Sequence, residues 1–269
     1  MKRLLSYALL TVGALMFIYP FVWMVAATFK PEAEIAGFAI LTSHFSFDNY
    51  LFVFRKIPVA RSFLNSLFVS VLVTASVIFF GSLTGYALAR LRFTGRSLVF
   101  NIALLTMMIP AQLTLIPLYT MIVRFGWINS YAALIVPAMM SSYAALLFRN
   151  FFSSIPQSLV EAARLDGCSD WRILFSIIFP LSKPIIWTVA LLTFMGIWND
   201  VLWSLMVIRD EGKMTMPLVV TLFAVGGGAE ARLGAQLAAA TLLALPVIIA
   251  YVFLQRHLIE SLAASGMKN

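Results

Sequence analysis

Charged residues interrupt this chain only at wide intervals, and long apolar runs lie between them. Five segments contain no Asp, Glu, Lys, Arg or His: Leu4–Phe29, Ser62–Ala89, Ser97–Val123, Phe125–Phe148 and Leu233–Gln255. A sixth, Pro184–Ile208, is broken only by Asp200. Roughly 20 apolar residues in a helix cross about 30 Å of hydrocarbon. The pattern therefore predicts an all-α, polytopic membrane protein with six transmembrane helices. Their expected spans are 4–29, 62–89, 97–123, 125–148, 184–208 and 233–255, within one transmembrane domain covering 1–269.

Proline and glycine mark the joints. The first helix should end near Lys30-Pro31, since proline disfavours a helical residue before it. An external segment over 30–61 follows, with apolar patches at Phe45, Phe47 and Tyr50. Pro110 and Pro117 should kink the third span, and Pro137 and Pro246 lie in the fourth and sixth. Residues 149–183 form the longest connection on one side of the membrane. On the other side, 209–232 carries Gly226-Gly227-Gly228 near its tip, a composition that suits a mobile loop or a plain flexible connection.

Composition agrees with lipid as the main solvent. Charged residues make up 11% of the chain and hydrophobic ones 62%, whereas a soluble domain is about a quarter charged. The net charge of +8 could point to nucleic acid, but its distribution speaks for a membrane. With the N-terminus cytoplasmic, the inside segments hold eleven basic residues against four acids, and the outside segments eight against six. That asymmetry follows the positive-inside rule and places both termini in the cytoplasm. Lys2-Arg3 followed by an apolar run could be read as a cleaved leader. The run is long for a leader core, and Trp23 and Phe29 read as interface anchors of a retained first span.

Several activities find no support in the residues. Cys168 is the lone cysteine, so no internal disulfide forms. His44 and His257 are not at metal-ligand spacing, and no nucleophile–base constellation occurs, so no metal site is expected and the chain is expected to be no enzyme by itself. A G-x-x-x-x-G-K-[ST] phosphate loop is missing, so ATP would have to be bound elsewhere. Ionisable groups within spans are scarce and no inverted repeat is evident, which speaks against an ion-coupled secondary transporter.

The connection 149–183 reads as helix, break, helix at the membrane surface. Ser154 with Gln157 fits a capping box, and Pro156 suits a first turn. Gly167 can adopt the left-handed conformation that ends a helix, Ser169 can cap the next one, and Asp170 suits its positive end. Trp171, Leu174 and Phe175 should then pack back onto the membrane core. The expected product is a short rigid knob.

Here the residues resemble a known family. Glu161-Ala162-Ala163, then Gly167, Ile177 and Phe179-Pro180 at the proper intervals resemble the EAA signature of bacterial ABC importer permeases, with Phe179 where leucine is usual. Further similarity to the carbohydrate-uptake branch lies at Asn65-Ser66, Tyr86 to Arg90, Phe93 to Gly95, Gly126 to Tyr131, Trp198-Asn199-Asp200 and Gln255-Arg256 through Lys268. The resemblance implies the type I ABC importer permease architecture, in the smaller, second membrane subunit of a sugar importer, in the bacterial inner membrane. It implies as partners a larger second permease, two copies of a nucleotide-binding ATPase subunit and an extracytoplasmic solute-binding protein, with membrane lipid around them and no nucleic acid. ATP and Mg would sit on the ATPase, and this chain would bind no cofactor.

The same resemblance assigns expected roles. Glu161, Ala162, Ala163, Arg164, Asp166 and Gly167 would couple to the ATPase, and Gly266 and Lys268 would contact it through the tail. Gly226, Gly227 and Gly228 would reach the binding protein. Glu161 either bridges to the ATPase, as the resemblance implies, or pairs with Arg164 three positions on. Asp200, Asn199, Trp198, Gln112 and Asn65 either line the solute path or serve as packing and helix-pairing groups. A non-sugar solute, a homodimeric permease and an ion-coupled transporter remain as alternatives.

Overall fold

The computed structural model describes residues 2–266 except 36, 38, 39, 41 and 43, and no side chains at 2–4, 254 or 256–266. Among the described residues all regular structure is helical. In order these helices are α1 (Lys2–Ala27), α2 (Glu32–Ile35), α3 (Asp48–Lys56), α4 (Val59–Arg90), α5 (Arg96–Met108), α6 (Ala111–Arg124) and α7 (Tyr131–Ile135). They continue with α8 (Ser142–Ser154), α9 (Gln157–Leu165), α10 (Asp170–Arg172), α11 (Phe179–Leu181), α12 (Lys183–Trp198), α13 (Leu202–Val207), α14 (Met216–Val225) and α15 (Leu233–Gly266).

Four runs are long and apolar enough to cross a membrane: Leu5–Ala27, Val59–Arg90, Tyr131–Ser154 (α7 and α8 with the turn between them) and Leu233–Phe253. Two bent pairs bring the total to as many as six crossings. The first bend, 102° between α5 and α6, falls at Pro110. Ile109 before it is extended (φ −81°, ψ 118°) because the proline ring excludes the helical region there. Pro117 sits inside α6 without ending it. The second bend, 83°, separates Asp170–Leu181 from α12. The apolar stretch expected as one span over 184–208 is thus α12, a break at 199–201, and the short α13.

Two compact units emerge. The first comprises residues 1–63 and 215–246. Its core joins Val53 and Val59 to Met216, Val220, Phe223, Ala229, Ala235, Ala238 and Ala239. The Asn49 amide donates to the Thr28 and Lys30 carbonyls at 3.0 and 3.1 Å, and only a glycine at position 234 leaves room for it, since a Cβ there would strike its side chain. Glu32 accepts from the free backbone N–H groups of Leu233 and Gly234, where a helix N-terminus favours negative charge. Phe29, Phe45, Phe47 and Tyr50 form an aromatic cluster with centroids 4.7–5.4 Å apart. Phe29 thus packs within the chain, on the segment that follows α1. Within 209–232, whose glycine run suits a mobile tip or a plain flexible connection, residues 216–225 form α14, whose Met216, Leu218 and Phe223 are buried.

The second unit holds residues 64–214 and 247–269. Here α4 and α8 cross at close range. A Cβ on Gly81 would lie 3.3 Å from Ala144 and Phe148, and one on Gly85 only 2.5 Å from Phe148 Cβ and 2.8 Å from the Arg149 nitrogen. Small residues four apart are what allow two backbones this near in lipid.

Candidate functional site

The 149–183 connection folds as a short helix held between two turns. α8 ends at Ser154, and Ile155 is extended (φ −70°, ψ 135°) before Pro156. The expected capping box does not form: Ser154 Oγ donates back to the Phe151 carbonyl at 2.7 Å, and Pro156 itself occupies the cap of α9 with no side-chain bond. Ser154 is still helical, so its hydroxyl takes the nearest carbonyl, three residues back. Gln157 is used otherwise, accepting from Arg90 at 2.6 Å.

α9 is amphipathic. Val160 and Ala163 are buried, while Glu161, Ala162, Arg164 and Leu165 face outward. Gly167 (φ +78°) closes the helix in the left-handed conformation, with Cys168 N–H donating to the Ala163 carbonyl at 2.9 Å and Gly167 N–H to Arg164 at 3.0 Å. Ser169 then accepts from Arg172 N–H at 3.4 Å, as expected of a cap. Beyond it Ile173–Ile178 adopts a π-helical turn and buries Ile173, Leu174 and Ile178. Leu174 packs inward as expected, but Trp171 does not. It is 61% exposed and stacks on Phe175 at 5.6 Å.

The charges on the knob pair differently from the local expectation. Arg164 binds Asp170 at 3.0 Å instead of Glu161, because the turn at Gly167 folds Asp170 back alongside α9. That hydrogen bond, ahead of every other cause, holds the Arg164 guanidinium above its usual range. Asp170 also accepts from the Tyr86 hydroxyl at 2.8 Å. Glu161 is left exposed, with no side-chain partner among the described residues. Beside it Leu165 is 90% exposed. Its place off the buried Val160–Ala163 face accounts for that exposure.

The supposed path residues turn out mostly committed within the chain. Asn65 Nδ2 donates to the Gly212 and Met214 carbonyls at 3.1 and 2.9 Å, and its Oδ1 accepts from Tyr131 at 2.7 Å. Asn129 (φ +61°) accepts from Arg209 and Asp210 N–H groups, so the Gly126–Tyr131 turn is tied to the segment after α13. Asp200 accepts from Trp203 N–H at 3.1 Å at the start of α13. Trp198 is fully buried against Phe194 at 5.6 Å, and Trp203 donates to the Ala133 carbonyl at 2.8 Å. Asn199 donates to Met195 at 2.8 Å, leaving it and Gln112 as the exposed members of the set.

On the connection that follows α14, Gly226, Gly227 and Gly228 form a hydrogen-bonded turn. Gly226 N–H donates to Leu222, Ala229 to Phe223 and Glu230 to Gly227. Gly227 (φ +80°) supplies the positive φ that this turn needs. Val225 next to it is 83% exposed. In the tail, Gly266 ends α15, and Lys268 lies outside the described residues.

Comparison with known proteins adds four findings. Residues 77–263 match the family described as binding-protein-dependent transport system inner membrane component. An arabinooligosaccharides transport system permease protein of Halalkalibacterium halodurans is 32% identical over 97% of this chain and 96% of its own length. A galactooligosaccharides transport system permease protein of Bacillus subtilis is 33% identical over 99% of this chain and 96% of its own. Among solved structures, a chain of a bacterial ABC transporter involved in the import of the acidic polysaccharide alginate superposes with a TM-score of 0.81 at 27% identity, covering 96% of both chains.

Proposed function

The chain belongs to the family of binding-protein-dependent transport system inner membrane components, a non-catalytic ABC importer permease of type I fold, and from that premise we propose that it carries a sugar, oligosaccharide or related polyol across the bacterial cytoplasmic membrane. It does so as the smaller of two permeases, served by two ATPase subunits and a solute-binding protein. Relatives for arabino- and galactooligosaccharides, similar over nearly the whole chain, support that solute class.

The observation that carries the coupling role is the α9 knob, with an unpartnered Glu161 and a bare Leu165 on a helix whose two ends are fixed. Closure of two ATPase subunits around ATP pushes this knob, and a solute path follows the helices behind it. Glu161 pairs with a basic residue of the ATPase, and Leu165 fills an apolar cleft there. Differential contact in the two nucleotide states is what makes such a push productive. Gln112 and Asn199 offer amides to solute hydroxyls. Val225, at the end of α14, offers an apolar contact to the binding protein.

The test is retention of the ATPase by the purified permease pair. Glu161→Lys with Leu165→Asp should lower retention at least tenfold, about 1.4 kcal/mol of interface. Undiminished retention and undiminished ATP-driven uptake would sink the coupling role. Deleting 226–229 would remove the buried Ala229 and four backbone hydrogen bonds of the turn along with the tip. Val225→Asp probes the binding-protein contact without that damage.

A further inference from the structure

Both ends of α9 are tied to the same face of one neighbouring helix. Tyr86 and Arg90 lie four residues apart on α4, so their side chains project one above the other. Arg90 reaches the start of α9: its guanidinium donates to the Phe152 and Ile155 carbonyls and to Gln157 Oε1. Phe152 lies in the last turn of α8, where helix ends carry partial negative charge and unpaired carbonyls. Tyr86 reaches the far end, through Asp170 and its ion pair with Arg164 of α9. Next to Tyr86, Gly85 seats α4 on the α8 backbone with no room for a methyl group.

Without these contacts α9 would be linked to its neighbours by two soft joints and by the packing of Val160 and Ala163 alone. One is the extended Ile155-Pro156, and the other the left-handed turn at Gly167. A push on α9 would then be partly lost in a pivot about those joints, since only two buried side chains would oppose it. We infer that Tyr86 and Arg90 are positioning residues for coupling, which lock α9 to α4 so that the two move as one body and α4 carries the displacement into the membrane. This rests on the coupling role of α9 proposed above. An arginine suits the post because its planar fork serves three acceptors at once, which an ammonium group does not do in a fixed geometry.

The experiment uses the full importer complex in lipid nanodiscs, with Cys168→Ser and spin labels on Leu159→Cys (α9) and Val71→Cys (α4), both exposed positions. Inter-label distances are measured without nucleotide and after trapping with ATP and vanadate. With Tyr86 and Arg90 intact, the distance should be the same in both states. In Tyr86→Phe with Arg90→Gln it should shift or broaden on trapping, and Arg90→Lys should restore part of the fixed distance. Tyr86→Phe alone removes one hydroxyl and no packing volume, so it gives the answer if the double variant fails to assemble. A distance that changes on trapping in the intact complex overturns the proposal, and so does one that stays fixed in every variant. A thiol reporter at Leu165→Cys separates the two readings. If maleimide labels it freely in the intact complex, α9 is not docked on the ATPase and the coupling role itself fails.

Discussion

Adding one methyl group at Gly85 should break the α4–α8 contact. The Cβ of Gly85→Ala would lie 2.5 Å from Phe148 Cβ, 2.8 Å from the Arg149 nitrogen and 3.0 Å from the Ala145 carbonyl oxygen. Carbon atoms rest at about 3.5–4.0 Å, so the helices must part by about 1 Å at this point. Two of the three obstructions are backbone atoms, which no rotamer change moves aside. Overpacking of this kind costs about 1–3 kcal/mol, and alanine regains up to about 1 kcal/mol through its helix propensity. A net loss of about 2 kcal/mol corresponds to roughly a 30-fold fall in the folded-to-unfolded ratio. Gly196→Ala is the control, since a Cβ there meets nothing within 4 Å. Unfolding of the purified chain in detergent, followed by tryptophan fluorescence, should show Gly85→Ala clearly destabilised and Gly196→Ala unchanged or improved. Equal behaviour of the two variants would refute the close-approach reasoning.

Other expectations follow from single contacts. Asn65→Ala leaves the Gly212 and Met214 carbonyls and the Tyr131 hydroxyl without their partner, so it should cost about 2–4 kcal/mol in the same unfolding assay; a loss under about 0.5 kcal/mol would contradict this pinning role. Glu32→Gln replaces a charged acceptor of two N–H groups with an amide of half the acceptor capacity. Hydrogen exchange at Leu233 and Gly234 should then accelerate about tenfold, equivalent to about 1.4 kcal/mol, and unchanged protection would count against the cap. Asp200→Asn keeps an oxygen for the Trp203 N–H and should leave stability within about 0.5 kcal/mol and uptake unaltered. A large loss of uptake with normal folding would instead assign the carboxylate a part in the solute path.

The all-α fold was legible because its signals are local. An apolar run long enough to span lipid, a proline that excludes helix at Ile109, a glycine at 167 and a serine cap at 169 act within a few residues, so their neighbours in sequence suffice. The EAA pattern was legible for the same reason. The choice of partner for each polar group was not. Local spacing pairs Glu161 with Arg164, yet Asp170 takes Arg164 because Gly167 reverses the chain. Spacing also makes Ser154 and Gln157 a capping box, yet Arg90 of a helix 67 residues away claims Gln157.

The sequence by itself determined that this protein lives in lipid, roughly where its long apolar helices lie, and which short segment stands out from them. Tertiary structure alone decided which of its polar groups remain free for other molecules. Asn65, Trp198 and Asp200 are taken by distant or adjacent parts of the chain, while Glu161 and Leu165 are left bare. The physical reason is that a hydrogen bond or buried ring is satisfied by whatever atom folding brings within about 3–4 Å, and that atom's position along the chain is unrelated to its position in space.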